Sequence, residues 1–286
     1  MSALAKPSTR ALAPTVVGPW GRYGLRLVAA SYLLAMIVVP LAAILANGLG
    51  GGLVSFWNAI SSPVAFAALR LTLVTAVCMT AINAVMGTVT AYVLVRYRFP
   101  GRALLNNIVD LPFAIPTLVT GVMIVALYGP QRTLGALLHG YGIDVVFATP
   151  GIVLALLFVT YPFVIRTVQP VLMGAERKQE EAAFTLGASK WRTFRTVLLP
   201  TIGPAVLTGC ILSFARALGE FGSIVVVAGN IPNRTLTAPV HIYSLIESQD
   251  QQGASAMSTV LLFLSFALML AVDWIQRRMT ERHAHV

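Results

Sequence analysis

Six apolar stretches, about 25–47, 68–95, 104–127, 148–170, 201–228 and 255–276, constrain this chain more than any motif in it. A hydrocarbon core about 30 Å thick takes roughly 20 apolar residues as a helix, since lipid offers the backbone no partners and a helix satisfies its own. Of the 286 residues, 57% are hydrophobic and 10% charged, where soluble domains carry about 25% charged residues. The expected class is an all-α membrane protein with six transmembrane helices.

The formal charge of +10 would suit nucleic acid if the basic residues formed a polar surface, but they flank the apolar runs and so report topology. Lys6, Arg10, Arg22 and Arg26 precede the first run, which is too long for a signal peptide and lacks a small-residue cleavage site, so it reads as a retained helix. The N-terminal tail, the 96–103 loop, the 171–199 loop and the C-terminal tail together hold fifteen Lys and Arg; the opposite loops hold only Arg132 and Arg234. Both termini and the Glu181–Pro200 loop are therefore expected in the cytoplasm. Of the remaining arginines, Arg70 and Arg166 sit near span ends, where a long side chain can snorkel, and Arg216 lies deep. The Gly48–Gly52 tract reads as a flexible outer loop, and Cys78 and Cys210 as small packing residues.

Pro170 is expected to end the fourth span and Pro200 to open the fifth. Between them Glu180, Glu181, Ala182 and Ala183 favour a helix, Gly187 breaks it, and Ser189 is placed to cap a second short helix bearing Trp191, Phe194 and Val197 on one face. The result is a compact knob suited to a groove on another protein.

Within the spans, Arg216 and Glu220 are four apart and share a helix face. They are either a neutralising pair or a pathway element giving positive potential to an anion. Asp110, one turn after Asn106 and Asn107, reads as a hydrogen-bonded helix start rather than an ion site. Pro112 and Pro116, with Gly121 beyond, should bend or break the third span and expose backbone that can line a pathway. Thr80, Asn83, Gly87 and Thr90 follow the small-residue spacing of a helix contact. The chain has no Gly-x4-Gly-Lys-Ser/Thr cradle and no Gly-x-Ser-x-Gly nucleophile motif. His139 and His241 stand isolated in outer loops and His283 and His285 in a basic tail, so neither a catalytic set nor a metal set is expected.

Glu181-Ala182-Ala183, Gly187, Val197, Leu199 and Pro200 resemble the EAA motif of ABC importer permeases. The segments 111–121, 215–232 and 235–250 are similar to the T-type (U-type) subunit of sulfate/thiosulfate permeases; the W-type subunit and the molybdate permease match less well after Gly229-Asn230. The likeness covers roughly Pro63 to Arg278. It implies a type I ABC importer permease fold in a bacterial inner membrane. The expected regions are 1–62 (tail, first helix and outer loop), 63–278 (permease domain with the coupling loop at 176–200) and a tail at 279–286.

The resemblance further implies a second, W-type permease subunit, two copies of an ATPase subunit that bind ATP and Mg, and a periplasmic sulfate/thiosulfate-binding protein. This chain would then hold no cofactor and not be an enzyme. The outer loops near 128–147 and 229–254 are the expected docking surface for the binding protein. Competing readings are a molybdate or other oxyanion importer, an ion-gradient-driven secondary transporter, which usually carries an inverted repeat, and an intramembrane enzyme.

Overall fold

The computed structural model describes residues 19–175 and 177–284, and these form helices and connecting turns without a strand. Lys6, Arg10, Glu176 and His285 lie outside the described residues. The chain divides into two compact units, Met1–Ala46 and Asn47–Val286. The first holds α1 (Pro19–Leu33), a π-helical turn (Leu34–Val38) and the start of α2 (Val39–Leu49).

In the second unit, α3 (Gly52–Ser61) leads to α4 (Pro63–Arg96), then α5 (Arg102–Ile108), α6 (Leu111–Ala114) and α7 (Thr117–Tyr128). Next come α8 (Thr133–Gly140), α9 (Thr149–Gly174), α10 (Arg177–Thr185) and α11 (Lys190–Thr193). A second π turn (Phe194–Leu198) leads into α12 (Leu199–Leu218), followed by α13 (Gly222–Val227), α14 (Ala238–Glu247) and α15 (Gln251–Ala284). Among the described residues, five helical segments are long and apolar enough to cross a membrane, and the count reaches six when the bent pair Arg102–Ala114 and Thr117–Tyr128 is one span.

The proline positions required correction. Pro170 does not end the fourth span, because α9 runs past both Pro162 and Pro170 to Gly174. Packing of α9 against α4, α7, α12 and α13 holds the helix where a proline alone would release it. Nor does Pro200 open the fifth span, which runs continuously over Lys190–Leu218. The π turn makes this possible: the Leu199 N–H reaches back to the Phe194 carbonyl just before the proline, and the wider turn accommodates a residue with no N–H to give. The Val39 N–H bonds Leu34 in the same way just before Pro40.

The third and fifth runs are both broken. Ile115 leaves the helical region at ψ 125° ahead of Pro116, as a residue preceding proline is driven to do, and the axis turns by 113°. Pro112 is buried near the start of α6. The run at 201–228 is not one helix: α12 stops at Leu218 and α13 begins at Gly222. The two short helices flanking these breaks, α7 and α13, pack on one another through glycines. A Cβ on Gly121 would lie 2.7 Å from the Ser223 carbonyl oxygen, and one on Gly222 would lie 2.2 Å from Thr117 Oγ1.

The core lies along α9, between α4 and α12. Ala76, Met79, Ile152, Leu156 and Leu218 fill one end, and Leu94, Ile165, Val168, Leu172 and Ile202 the other. Polar bonds staple its middle: Asn83 Nδ2 donates to Thr160 Oγ1 at 2.8 Å, and Ser213 Oγ to the Thr160 carbonyl at 3.3 Å. Lipid is as apolar as leucine, so helices in it associate by close packing and such bonds. Gly87 accordingly presses on Val164 of α9. Of the other small-spaced residues, Thr90 bonds the Met86 carbonyl in its own helix at 2.7 Å.

The Gly48–Gly52 tract is a tight turn between α2 and α3 rather than a flexible loop, with Gly51 held against Gln252. The segments near 128–147 and 229–254 carry the helices α8 and α14.

Gly121→Val should drive a side chain into the Ser223 backbone and cost about 1–3 kcal/mol, the usual toll of overpacking. A lowered unfolding temperature of the purified protein in detergent is expected; an unchanged one would mean that α7 and α13 can separate freely.

Candidate functional site

The Glu181 loop is built as two short helices around a glycine. Gly187 has φ +82°, a left-handed conformation that favours glycine because it has no Cβ to clash. Its N–H bonds the Phe184 carbonyl at 3.0 Å and the Ala188 N–H bonds Ala183 at 3.0 Å, the paired pattern of a Schellman helix end. Ser189 then caps α11, its Oγ accepting from the Arg192 N–H at 3.3 Å, as its position in the sequence implies. Trp191 and Phe194 stack with ring centroids 5.6 Å apart.

Glu181, Ala182, Phe184, Leu186 and Gly187 are exposed, with Leu186 at 88%. Ala183 and Val197 are half-buried, while Leu199 and Pro200 are exposed at the start of α12. The knob does not float. Arg96, at the end of α4, forms an ion pair with Glu180 in which both side chains are largely buried. Sequence reasoning had singled out the neighbour, Glu181; the Arg96–Glu180 pair spans 84 positions and leaves no local signal.

A second polar cluster corrects the readings of Arg166 and Asp110. Arg166 does not snorkel from a helix end. Its Nε and Nη2 grip the two Asp110 carboxylate oxygens at 2.7 and 2.6 Å. The same guanidinium donates to the Asn106 carbonyl at 2.7 Å and to Gln169 Oε1 at 2.6 Å. Asp110 is thus an ion-pair partner rather than only a helix start, and the two-pronged geometry is the strong form of such a contact. The cluster ties α9 to the α5–α6 junction and walls a hollow of about 420 Å³ that Arg102 also lines.

Arg216 and Glu220 meet at 2.8 Å, although Glu220 lies beyond the end of α12. Glu220 is 1% exposed, and its other oxygen accepts from Ser223 N–H at 2.9 Å and Ser223 Oγ at 2.8 Å. One carboxylate therefore closes α12 and starts α13, where negative charge suits the helix dipole. Gly222 abuts Thr117, so the Arg216–Glu220 pair and the Pro116 break, separate signals in the sequence, adjoin in space.

His139 is not isolated: its Nδ1 lies 2.7 Å from Asp144 Oδ1. Burial of His241 on α14 lowers its pKa, with Asp250 opposing the shift. Among the described residues, no three His, Cys, Asp or Glu side chains cluster as metal ligands.

Charge substitutions at the two pairs test this geometry by thermal unfolding. Arg216→Met strands a buried carboxylate and should cost about 3–5 kcal/mol, whereas Glu220→Gln keeps an acceptor for Ser223 and should cost less. The reverse order would show that the carboxylate is not the demanding partner. Asp110→Asn should cost about 1–3 kcal/mol, as losing a bond to a charged group does, and the exchange Asp110→Arg with Arg166→Asp should recover part of it. An exchange as damaged as the sum of its two parts would dismiss the pair.

Residues 83–282 match the family model described as "Binding-protein-dependent transport system inner membrane component". A probable sulfate transport system permease protein cysT of Nephroselmis olivacea is 46% identical over 86% of this chain and 86% of its own length. The sulfate transport system permease protein CysT of Escherichia coli K12 is 38% identical over 88% of this chain and 91% of its own. Among solved structures, a bacterial alginate ABC transporter in complex with a periplasmic protein contains a chain of the same fold. Its TM-score is 0.76 at 18% identity, covering 91% of this chain and 95% of that one. A chain of the MetNI methionine ABC transporter superposes with TM-score 0.58 at 18% identity, over 76% of this chain and 96% of that one. By the family match and these relatives, the chain belongs to the binding-protein-dependent transport system inner membrane components.

Proposed function

We infer that the chain is the permease subunit of an ATP-driven sulfate importer, forming half of the transmembrane pathway in the inner membrane. The observation that carries the substrate is its 38–46% identity to sulfate transport permeases over most of its length. The coupling role rests on the exposed Glu181–Gly187 surface, held on the spans by the Arg96–Glu180 pair. With no phosphate cradle in the sequence, ATP and Mg are bound by two copies of a partner ATPase that receives this knob. A related W-type permease subunit supplies the other half of the pathway, and a periplasmic sulfate-binding protein delivers the anion to the α8 and α14 side.

The excess of Lys and Arg, fifteen against two, favours cytoplasmic termini and a cytoplasmic Glu181 loop. Residues 63–278 form the permease domain. Glu181, Ala182, Ala183 and Gly187 make the contact and turn, and Val197, Leu199 and Pro200 join it to α12. The broken helices at Pro116 and Glu220, with Pro112 and Arg216 beside them, line the pathway. Alternating access follows when ATP closes the ATPase pair and the loop moves the spans.

Uptake by the reconstituted transporter, with sulfate, thiosulfate and molybdate in competition, tests the reading. Sulfate and thiosulfate should compete with each other and molybdate weakly; preferred molybdate uptake would reassign the cargo. Glu181→Lys should abolish ATP-driven uptake and loosen the ATPase while the chain stays in the membrane, and normal uptake by that variant would defeat the coupling assignment.

A further inference from the structure

Of the arginines Arg70, Arg166 and Arg216, set apart from the charged loops by the sequence, two find carboxylates: Arg166 with Asp110 and Arg216 with Glu220. Arg70 has none. It lines a hollow of about 370 Å³ together with Arg234, Asn233 and Thr149, against the apolar wall of Phe66 and Val74. Among the described residues, neither Arg70 nor Arg234 has an ion pair or a hydrogen bond from its guanidinium, and no carboxylate lines the hollow.

The Arg234 backbone is rigidly held. The Ile231 carbonyl accepts from the N–H groups of Arg234, Thr235 and Leu236 at 2.9–3.1 Å, and Thr235 Oγ1 donates to the Ala228 carbonyl at 2.5 Å. Three residues on, the Ala238 N–H bonds Thr72 Oγ1 at 2.8 Å, fastening this loop to α4 two positions beyond Arg70. The fold thus brings both arginines to the wall of one hollow.

Along α4, Arg70 stands 26 residues before Arg96, whose side chain holds the coupling loop. At 1.5 Å per residue that is about 39 Å, so the hollow opens at the opposite membrane face.

We propose that Arg70 and Arg234 form a receiving site for a tetrahedral divalent oxyanion at the mouth of the pathway, with Asn233 and Thr149 as neutral donors. It rests on the importer reading for the direction of entry and for the anion's identity. Guanidinium is planar and rigidly forked, which suits two-pronged contact with oxyanions. Two cations lining one hollow offset part of a dianion's cost of leaving water. Phospholipid headgroups carry a similar oxyanion, so the test separates the two sources.

The complete transporter, with its ATPase, second permease and binding protein, is compared with Arg70→Gln, Arg234→Gln, the double variant and Arg→Lys replacements. Radiolabelled sulfate uptake by the double variant should fall about tenfold or more, as for loss of bonds to a charged group, with Arg→Lys intermediate. The unfolding temperature should not change, and Arg70→Gln, which lies outside the 229–254 docking segment, should keep full affinity for the binding protein. Radiolabelled sulfate should also bind the wild-type transporter without binding protein, in phospholipid nanodiscs and in lipid-free detergent alike, and more weakly to the double variant.

Unchanged uptake by the double variant overturns the site. A parallel fall in binding-protein affinity in Arg70→Gln overturns it in favour of an acidic protein surface, and co-purifying phospholipid lost in the double variant, without any sulfate binding, in favour of a headgroup. A wild-type transporter that imports no sulfate overturns the substrate reading and this inference with it; wild-type import matched by the double variant overturns this inference alone.

Discussion

A backbone N–H or carbonyl in hydrocarbon must find its partner within the protein, and the breaks at Glu220 and Pro116 answer that demand in different ways. At the Glu220 break, one buried carboxylate accepts from Ser223 on one side and neutralises Arg216 on the other. At the Pro116 break, a residue without an N–H is placed where none is needed, and α7 then packs through Gly121 on α13. The two interruptions lie against each other where Gly222 meets Thr117.

Charge follows the same economy. Arg96, Arg166 and Arg216 each meet a carboxylate, and each pair joins elements distant in sequence or closes a helix end. Asn83 and Ser213 do by neutral bonds what these do by charge, holding α4 and α12 onto α9 through Thr160. The Glu181 surface is the contrast, exposed although braced from beneath by the Arg96–Glu180 pair.

What was legible in the sequence was local. Apolar run length gave the spans, and residue preference gave the Gly187 turn and the Ser189 cap, because each of those signals is carried by a few adjacent residues. Pro116 was read correctly as a break. Pro170 and Pro200 were read wrongly by the same rule, since packing along α9 and the π turn at Phe194–Leu198 decide whether a proline ends a helix. Arg166 and Asp110 stand 56 positions apart, and only the crossing of α9 with the α5–α6 junction makes them partners. The Arg96–Glu180 brace is likewise tertiary, which is why the neighbouring glutamate drew the attention.

The π turn at Phe194–Leu198 carries a mechanical consequence. From Trp191 to Arg216 the chain is one continuous helical rod, about 38 Å long at 1.5 Å per residue. A rod of hydrogen-bonded turns passes axial displacement along its length, and bending gathers where a turn is widest and least regular. That weak turn falls at the base of the rod, just beside the stacked Trp191 and Phe194 rings. A push on those rings is therefore divided: thrust along the axis travels toward Glu220, while sideways motion is spent in the joint. The proline that seemed to mark where a helix begins instead sets where one can flex.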